Sequence, residues 1–269
     1  MADELAEPIM DQAPVHAPEL EFTGERIVPG KTAEALFREH EERYVFAAQY
    51  VPGKDVLDVA CGSGVGTSFL QEAGALSALG LDIDPAAVAY AKERYKNCRF
   101  AQCDATNLIL PDGCVDVVVS FETLEHISDQ RKFLNECRRV LRPGGLLICS
   151  TPNRALSRWS PRNPFHAAEL YPREFQTMMT ELFPAVEIFS QRNRAVMSYV
   201  PKKVARRFLG AIGLLPLAER ILRIDPSAGT GRKGFLHDTP IESVAISAYT
   251  SNLFVQPVYV IAVAKRAVS

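Results

Sequence analysis

The sequence predicts an α/β fold built on a doubly wound, mostly parallel sheet, and three observations carry that prediction. Between residues 55 and 153, apolar segments of strand length alternate with segments of helical periodicity. The strand-like segments, among them DVLDVA, CVDVVVSF and GLLICST, are too continuously apolar to have a wet face, as strands covered by helices on both sides must be. Gly and Pro punctuate the alternation at 52–53, 111–113 and 143–145.

The opening stretch, MADELAEPIMDQAPVHAPELE (1–21), is acidic, proline-rich and short of apolar periodicity, so it is predicted to be a disordered tail without a targeting signature. Residues 33–51 carry Leu36, Phe37, Tyr44, Ala47 and Ala48 at helical spacing and stop at Pro52-Gly53, which defines a leading helix. Strand and helix then alternate: DVLDVA and 65–73, LSALGLD and 85–95, CRFAQ, CVDVVVSF and 129–141, GLLICST. Asp84, standing before Pro85, reads as the N-cap of its helix. AVEIFSQR (185–192) and QPVYVIAVAKR (256–266) supply later strands, with a partly helical insertion at 199–240 between them. No internal repeat or linker divides the chain, so residues 22–269 are predicted to form one domain.

The balance of 30 Lys plus Arg against 32 Asp plus Glu gives a net charge of -2, without the basic excess that grips nucleic acid. Six scattered cysteines, with no CxxC pair, read as reduced thiols of a cytoplasmic protein. No stretch is long and apolar enough for a transmembrane segment.

The segment DVLDVACGSGVG (55–66) poses the functional question. In a doubly wound sheet the turn after the first strand lies at the carboxyl edge, where glycines let a ligand approach the backbone. A dinucleotide pyrophosphate would want G-x-G-x-x-G, but after Gly62 and Gly64 the third such position is Thr67. Asp58 sits four residues before Gly62; its carboxylate would repel a pyrophosphate but help hold a cationic amino acid, directly or by orienting the turn. Asp82, twenty residues after Gly62, ends the second strand where a carboxylate accepts two hydrogen bonds from ribose hydroxyls. Both features suit a nucleoside with no phosphate. Taken alone, Asp82 and Asp104 read equally well as residues that end strands and cap turns.

With GLDID, CDATNLILPDGCVDVVVSFETLEHI and LRPGGLLICSTPN following in order, the chain resembles the class I S-adenosylmethionine-dependent methyltransferases over residues 55–153. The resemblance implies a Rossmann-like sheet of seven strands and S-adenosyl-L-methionine as cofactor. It also implies that Gly62 and Gly64 lie against the methionine part, Asp82 and Ile83 flank the ribose, Asp104 accepts from the adenine amino group beside Ala105, and Phe121 borders the cofactor.

An aliphatic alcohol is too weak an acid to ionise at neutral pH, so an O-methyltransferase acting on one should carry a general base or a metal. FETLEHISD follows the fourth strand; if helical, it sets Glu122, Glu125 and His126 on one face. This E-x-x-E-H pattern resembles the metal-binding motif of the O-methyltransferases of ubiquinone biosynthesis, which implies Mg2+ or Mn2+ on those three residues. The alternatives are His126 as a metal-free catalytic base, or acids that favour a helix dipole.

Two flanks speak to the acceptor. FTGERIVPG and EHEERYVFAAQYVPGK resemble the leader of bacterial methyltransferases of polysaccharide and glycoconjugate assembly, which implies a sugar hydroxyl as acceptor and a leading helix over the cofactor. Arg43 and Tyr44 then contact the methionine carboxylate or close the lid; alternatively Arg43 pairs with Glu39 on the helix surface. STPNRALSRWSPRNPFHAAELYPREF places Asn153, Trp159, Asn163, His166 and Glu169 over the carboxyl edge, a mix suited to a polyhydroxylated acceptor or to an ordinary surface loop. The basic amphipathic stretch VPKKVARRFLGAIGLLPLAERIL reads first as a cap or a homodimer contact, second as a lipid-facing surface. The alternative acceptor class is another small metabolite, of quinone or polyketide type, methylated on O or N, and two rivals stand beside the methyltransferase itself. An NAD-dependent oxidoreductase lacks both the third glycine and any Tyr-x-x-x-Lys pair here, while a non-catalytic cofactor-binding module would bind without turnover.

Overall fold

Helix α1 (Glu34–Ala48) leads into the alternating core: β1 (Asp55–Val59), α2 (Val65–Glu72), β2 (Ser77–Asp82), α3 (Pro85–Arg94), β3 (Arg99–Gln102), β4 (Val115–Ser120), α4 (Gln130–Val140) and β5 (Leu141–Pro152). A short α5 (Arg154–Ser157), α6 (Pro172–Leu182), β6 (Ala185–Ala195), β7 (Ile246–Ala248) and β8 (Val255–Lys265) follow. This computed structural model describes residues 19–22, 24, 26–159, 161–195, 246–249 and 255–268. The insertion predicted at 199–240 and most of the predicted tail lie outside those residues.

The sheet order is β3-β2-β1-β4-β5-β8-β6-β7. Strands β1 to β5 pair in parallel, β8 runs antiparallel between β5 and β6, and β7 pairs antiparallel with β6. Among the described residues the sheet therefore has eight strands where seven were expected. The extra one is a three-residue edge strand, too short to show a period-2 pattern.

Side-chain alternation explains the two covered faces. Val56, Val117, Val119 and Ile148 pack with Ala47 of α1 and Leu70 of α2. Leu57, Val59, Val118 and Leu147 pack on the other side with Phe133, Leu134 and Cys137 of α4 and Phe175 and Met179 of α6. Period-2 strands with apolar residues on both faces need helices on both faces, which is the doubly wound arrangement.

Three local outcomes refine the sequence reading. Asp84 caps α3 by accepting from the Ala86 N–H at 2.9 Å, as its place before Pro85 predicts. Leu20, inside the predicted tail, is buried against Val28, Ala87 and Tyr90, so the packed chain begins ahead of the boundary predicted at residue 22. All six cysteines are free thiols.

The strand order reverses between β1 and β4, whose neighbours lie on opposite sides. This is the switch point where the loops after adjacent strands part and leave a crevice. The loops that flank it are Ala60–Gly64 and Phe121–Ile127.

Candidate active site

The glycine turn is built on left-handed backbone: Ala60, Gly62 and Gly64 have φ of 60, 55 and 80°. A Cβ on Gly64 would stand 2.6 Å from Ala91 Cβ, so glycine is needed there for close packing as well as for conformation. Asp82 ties the turn to the end of β2, accepting from the Gly62 N–H at 2.8 Å through Oδ2 and from the Asp84 N–H at 2.9 Å through Oδ1. Each oxygen has a second lone pair for another donor. Ile83 beside it is exposed, and its carbonyl accepts from Gln102 Nε2.

Asp58 is buried under the turn. Its Oδ2 accepts from Thr67 Oγ1 at 2.7 Å, and the Tyr44 hydroxyl lies 3.3 Å from both carboxylate oxygens. Burial raises its pKa to about 7, against the bonds from Thr67 and Tyr44, which pull it down. Burial likewise raises the Tyr44 hydroxyl well above its usual range, with the Asp58 charge adding to it. Tyr44 sits so closely on α2 that a Cβ on Gly66 would stand 1.9 Å from Tyr44 Cζ. Its ring also meets Phe121 edge-on, centroids 5.0 Å apart. The leading helix thus covers the first loop, and Phe121 carries the cover to the second.

Asp104 behaves locally as a turn cap: its Oδ1 accepts from the N–H and the hydroxyl of Thr106 at 2.7 and 2.9 Å, and these two bonds hold its pKa low. Ala105, next to it, is half-buried.

The segment after β4 is not the helix that would align Glu122, Glu125 and His126. Glu122 has φ of 52°, its N–H donates to Ser150 Oγ at 3.2 Å, and only Leu124–His126 makes a 3₁₀ turn. Glu122 Oε1 accepts from Ser150 Oγ at 2.6 Å, directing this carboxylate to β5. Glu125 is buried, with Oε2 accepting from Thr151 Oγ1 at 3.1 Å; burial, then the Glu122 charge, pushes its pKa well above the carboxylate range. Its neighbour His126 has Nδ1 at 3.1 Å from the Phe165 carbonyl and Nε2 at 4.0 Å from Glu125 Oε1.

The fold brings a different partner to these two. His166 packs perpendicular to His126, ring centroids 4.9 Å apart, with its Nδ1 2.6 Å from Glu169 Oε1. Glu169 also accepts from the Ser157 hydroxyl, and its pKa is lowered chiefly by His166. Among the described residues, Glu125, His126 and His166 are the group whose ligand atoms gather within 4.8 Å of one another; Glu122 is not in it. The motif-derived ligand set is therefore not assembled here. Asn163 orders the same loop by accepting from the Phe165 N–H at 3.0 Å.

Asn153 lies elsewhere in character. Its Oδ1 caps α5 through the Ala155 N–H at 2.8 Å and its Nδ2 donates to the Pro257 carbonyl at 2.9 Å, so its buried amide is engaged in holding β5, α5 and β8 together.

Arg43 is fully buried and does not pair with Glu39. It donates to Gln191 Oε1 at 2.7 Å and stacks over the Tyr259 ring at 4.5 Å, while its Nε and Nη2 have no partner among the described residues. Glu39 is taken by Arg192 and by the Tyr259 hydroxyl at 3.1 Å. Thr67, Ser150, Thr151 and Ser157 were missed in the sequence, since single hydroxyl residues carry no spacing signal. Thr67 alone was within reach, one turn into the helix after the glycine loop.

A doubly wound sheet with a G-x-G-x-G turn after β1, tied to a carboxylate that ends β2, is the methyltransferase-type arrangement of α/β proteins. Residues 57–149 match the family described as "Methyltransferase domain". The chain is 43% identical over 164 residues to a Mycolicibacterium smegmatis protein named "probable S-adenosylmethionine-dependent methyltransferase", covering 60% of this chain and 63% of that one. It is 30% identical over 174 residues, 61% of this chain and 67% of the other, to a Mycobacterium ulcerans "probable phthiotriol/phenolphthiotriol dimycocerosates methyltransferase 2". A SAM-dependent methyltransferase of Archaeoglobus fulgidus has the same fold, with a TM-score of 0.56 at 19% identity over 87% of this chain and 95% of that one. The chain belongs to the S-adenosylmethionine-dependent methyltransferase family. It spans about six-tenths of the length of the M. smegmatis relative. No helix among the described residues is long and apolar enough to cross a membrane.

Proposed function

We propose that this protein binds S-adenosylmethionine at the switch point and O-methylates a hydroxyl, of a sugar or glycoconjugate, with base or divalent-ion assistance from the cluster after β4. The observation that carries the reading is the imidazole of His126 held by its Nδ1 on the loop that follows the cofactor-binding strands.

In this reading Gly62 and Gly64 take the methionine part, and Asp82 offers its remaining lone pairs to the ribose with Ile83 beside it. Asp104 and Ala105 meet the adenine, and Phe121 closes the edge. Asp58 supplies negative charge beneath the amino group. Arg43 has two guanidinium nitrogens that a methionine carboxylate would satisfy, which relieves the cost of leaving buried donors unpaired.

When bound, the cofactor supplies a methyl already activated on a sulfonium, so positioning the acceptor near attack distance provides much of the rate. The Phe165 carbonyl can only accept, so Nδ1–H is the donor of the neutral His126 ring and Nε2 is the nitrogen that would take an acceptor proton. Such a base is worth roughly a hundredfold to ten-thousandfold. Asn163, His166 and Glu169 lie on the loop facing that edge and suit a polyhydroxylated acceptor. Asn153 supports the loop from beneath.

A lipid hydroxyl is the second reading, favoured by the M. ulcerans relative, which is named for a triol. The test is a screen of sugar, glycolipid and lipid alcohols with labelled methyl donor. Methylation of a sugar hydroxyl supports the first reading and of a lipid alcohol the second. Tight S-adenosylhomocysteine binding with no turnover on any acceptor would instead mark a non-catalytic module.

A further inference from the structure

Four facts about the cluster after β4 point beyond proton transfer. One ligand atom from each of Glu125, His126 and His166 lies within 4.8 Å of the others, although His166 comes from a loop forty residues away. Both imidazoles are fixed through Nδ1, His126 on the Phe165 carbonyl at 3.1 Å and His166 on Glu169 Oε1 at 2.6 Å. Those oxygens accept, so Nδ1–H is the donor of each neutral ring and Nε2 is the nitrogen that can coordinate an ion. Glu125 is held by Thr151 Oγ1, which donates to its Oε2 at 3.1 Å, and its Oε1 stands 4.0 Å from His126 Nε2.

We propose that Glu125, His126 and His166 form a binding site for a first-row divalent transition ion. Two imidazoles and one carboxylate are the donor set of zinc, cobalt, manganese and iron sites, whereas magnesium prefers an all-oxygen shell. Nδ1–H donated to a carboxylate or carbonyl is the usual second shell of a metal-binding histidine, and here both rings have it. Ligands about 2.0 Å from an ion stand roughly 3.3 Å apart, within side-chain rotation of the observed spread. The two half-buried rings, 28% and 16% exposed, leave a path for entry, while Glu125 anchors the floor.

The backbone keeps the two halves together. The N–H groups of Ala167 and Ala168 donate to the Glu125 carbonyl at 2.8 and 3.1 Å, and Gln130 Nε2 bridges the Leu124 and Ala168 carbonyls. Three protein ligands leave coordination positions open, as in catalytic sites. The site shares His126 with the proposed methyl transfer, and it would shift that residue from proton acceptor to ligand. Its test needs no turnover.

The full chain, stripped of metal by a chelator and dialysed, is titrated with Co2+ and followed by its visible ligand-field absorption. One equivalent should bind, with Zn2+ displacing it. Glu122→Gln should leave binding intact, while His166→Ala should abolish it. Glu169→Gln, which alters only the brace on His166, should weaken it by about tenfold to a hundredfold. To guard against a misfolded variant, Cu2+ bound to the unaltered protein is examined by electron spin-echo modulation, which should count two imidazoles coordinated through Nε2. No Co2+ binding, a single coordinated imidazole, or loss of binding in Glu122→Gln with retention in His166→Ala would each overturn the site. Calorimetry with S-adenosylhomocysteine on the same samples keeps the methyltransferase reading separate, because cofactor binding without ion binding sinks only the metal.

Discussion

The hydroxyl of Tyr44 lies 3.3 Å from both oxygens of the buried Asp58 carboxyl, joining the leading helix to the strand beneath the glycine turn. With its pKa raised to about 7, Asp58 is largely protonated in the empty protein below neutrality. Folded pKa above unfolded pKa means that this group's contribution to stability is full below about pH 4 and is lost as pH rises through 7. An ammonium group set over the turn favours the ionised carboxyl, so the affinity for S-adenosylhomocysteine, whose amino-acid end carries one, should rise between pH 5 and 7, by at most about tenfold per pH unit. Calorimetry across that window should show the rise in the unaltered protein and a flat profile in Asp58→Asn. Tyr44→Phe removes a bond that lowers the Asp58 pKa, and should move the midpoint upward.

Gly66→Ala places a methyl group into the Tyr44 ring. The helix must back away, at a cost of about 1–3 kcal/mol for overpacking. Thermal unfolding should shift down, and cofactor affinity should fall with it, because Tyr44 also carries Phe121. A variant as stable as the parent would show that α1 is not pinned at this point.

Asp82→Ala should weaken cofactor binding by about 2–3 kcal/mol through two lost charge-assisted bonds. It also frees the Gly62 and Asp84 N–H groups that hold the turn. Asp82→Asn keeps one accepting oxygen and should lose less. Equal losses in the two variants, measured by calorimetry, would place the effect on charge and not on the turn. Tighter binding of NAD than of S-adenosylhomocysteine would contradict the cofactor itself.

His126→Ala should cut turnover by roughly a hundredfold or more with cofactor affinity nearly unchanged, since the ring acts on the acceptor side. Near-normal turnover on the true acceptor would mean that the proton leaves by another route.

Asn153→Ala removes a helix cap and a buried donor, with an expected loss of about 1–3 kcal/mol in stability. At a temperature where the variant is folded, its KM for acceptor should match the parent's. A KM change without a stability change would make Asn153 an acceptor contact instead.

Local pattern was enough for much of this protein. Apolar strands between helical periods fixed the parallel core, Asp84 before Pro85 its cap, and G-x-G-x-G with Asp82 twenty residues on the glycine turn that Asp82 ties to the end of β2. These features are set by neighbours along the chain: side-chain alternation, backbone φ, a carboxylate at a strand end. Tertiary structure decided the rest. The E-x-x-E-H spacing suggested one helical face, but the Ser150 hydroxyl captures Glu122 and the left-handed residue there prevents the helix. Glu39 and Arg43, four apart on one helix, form no pair, because β6 and β8 supply Arg192, Tyr259 and Gln191 in a dry interface where a buried charge takes the partner that desolvates with it. Likewise His166 reaches His126 only when the loop after β5 folds back over the turn after β4, a meeting of residues forty apart that no spacing along the chain encodes.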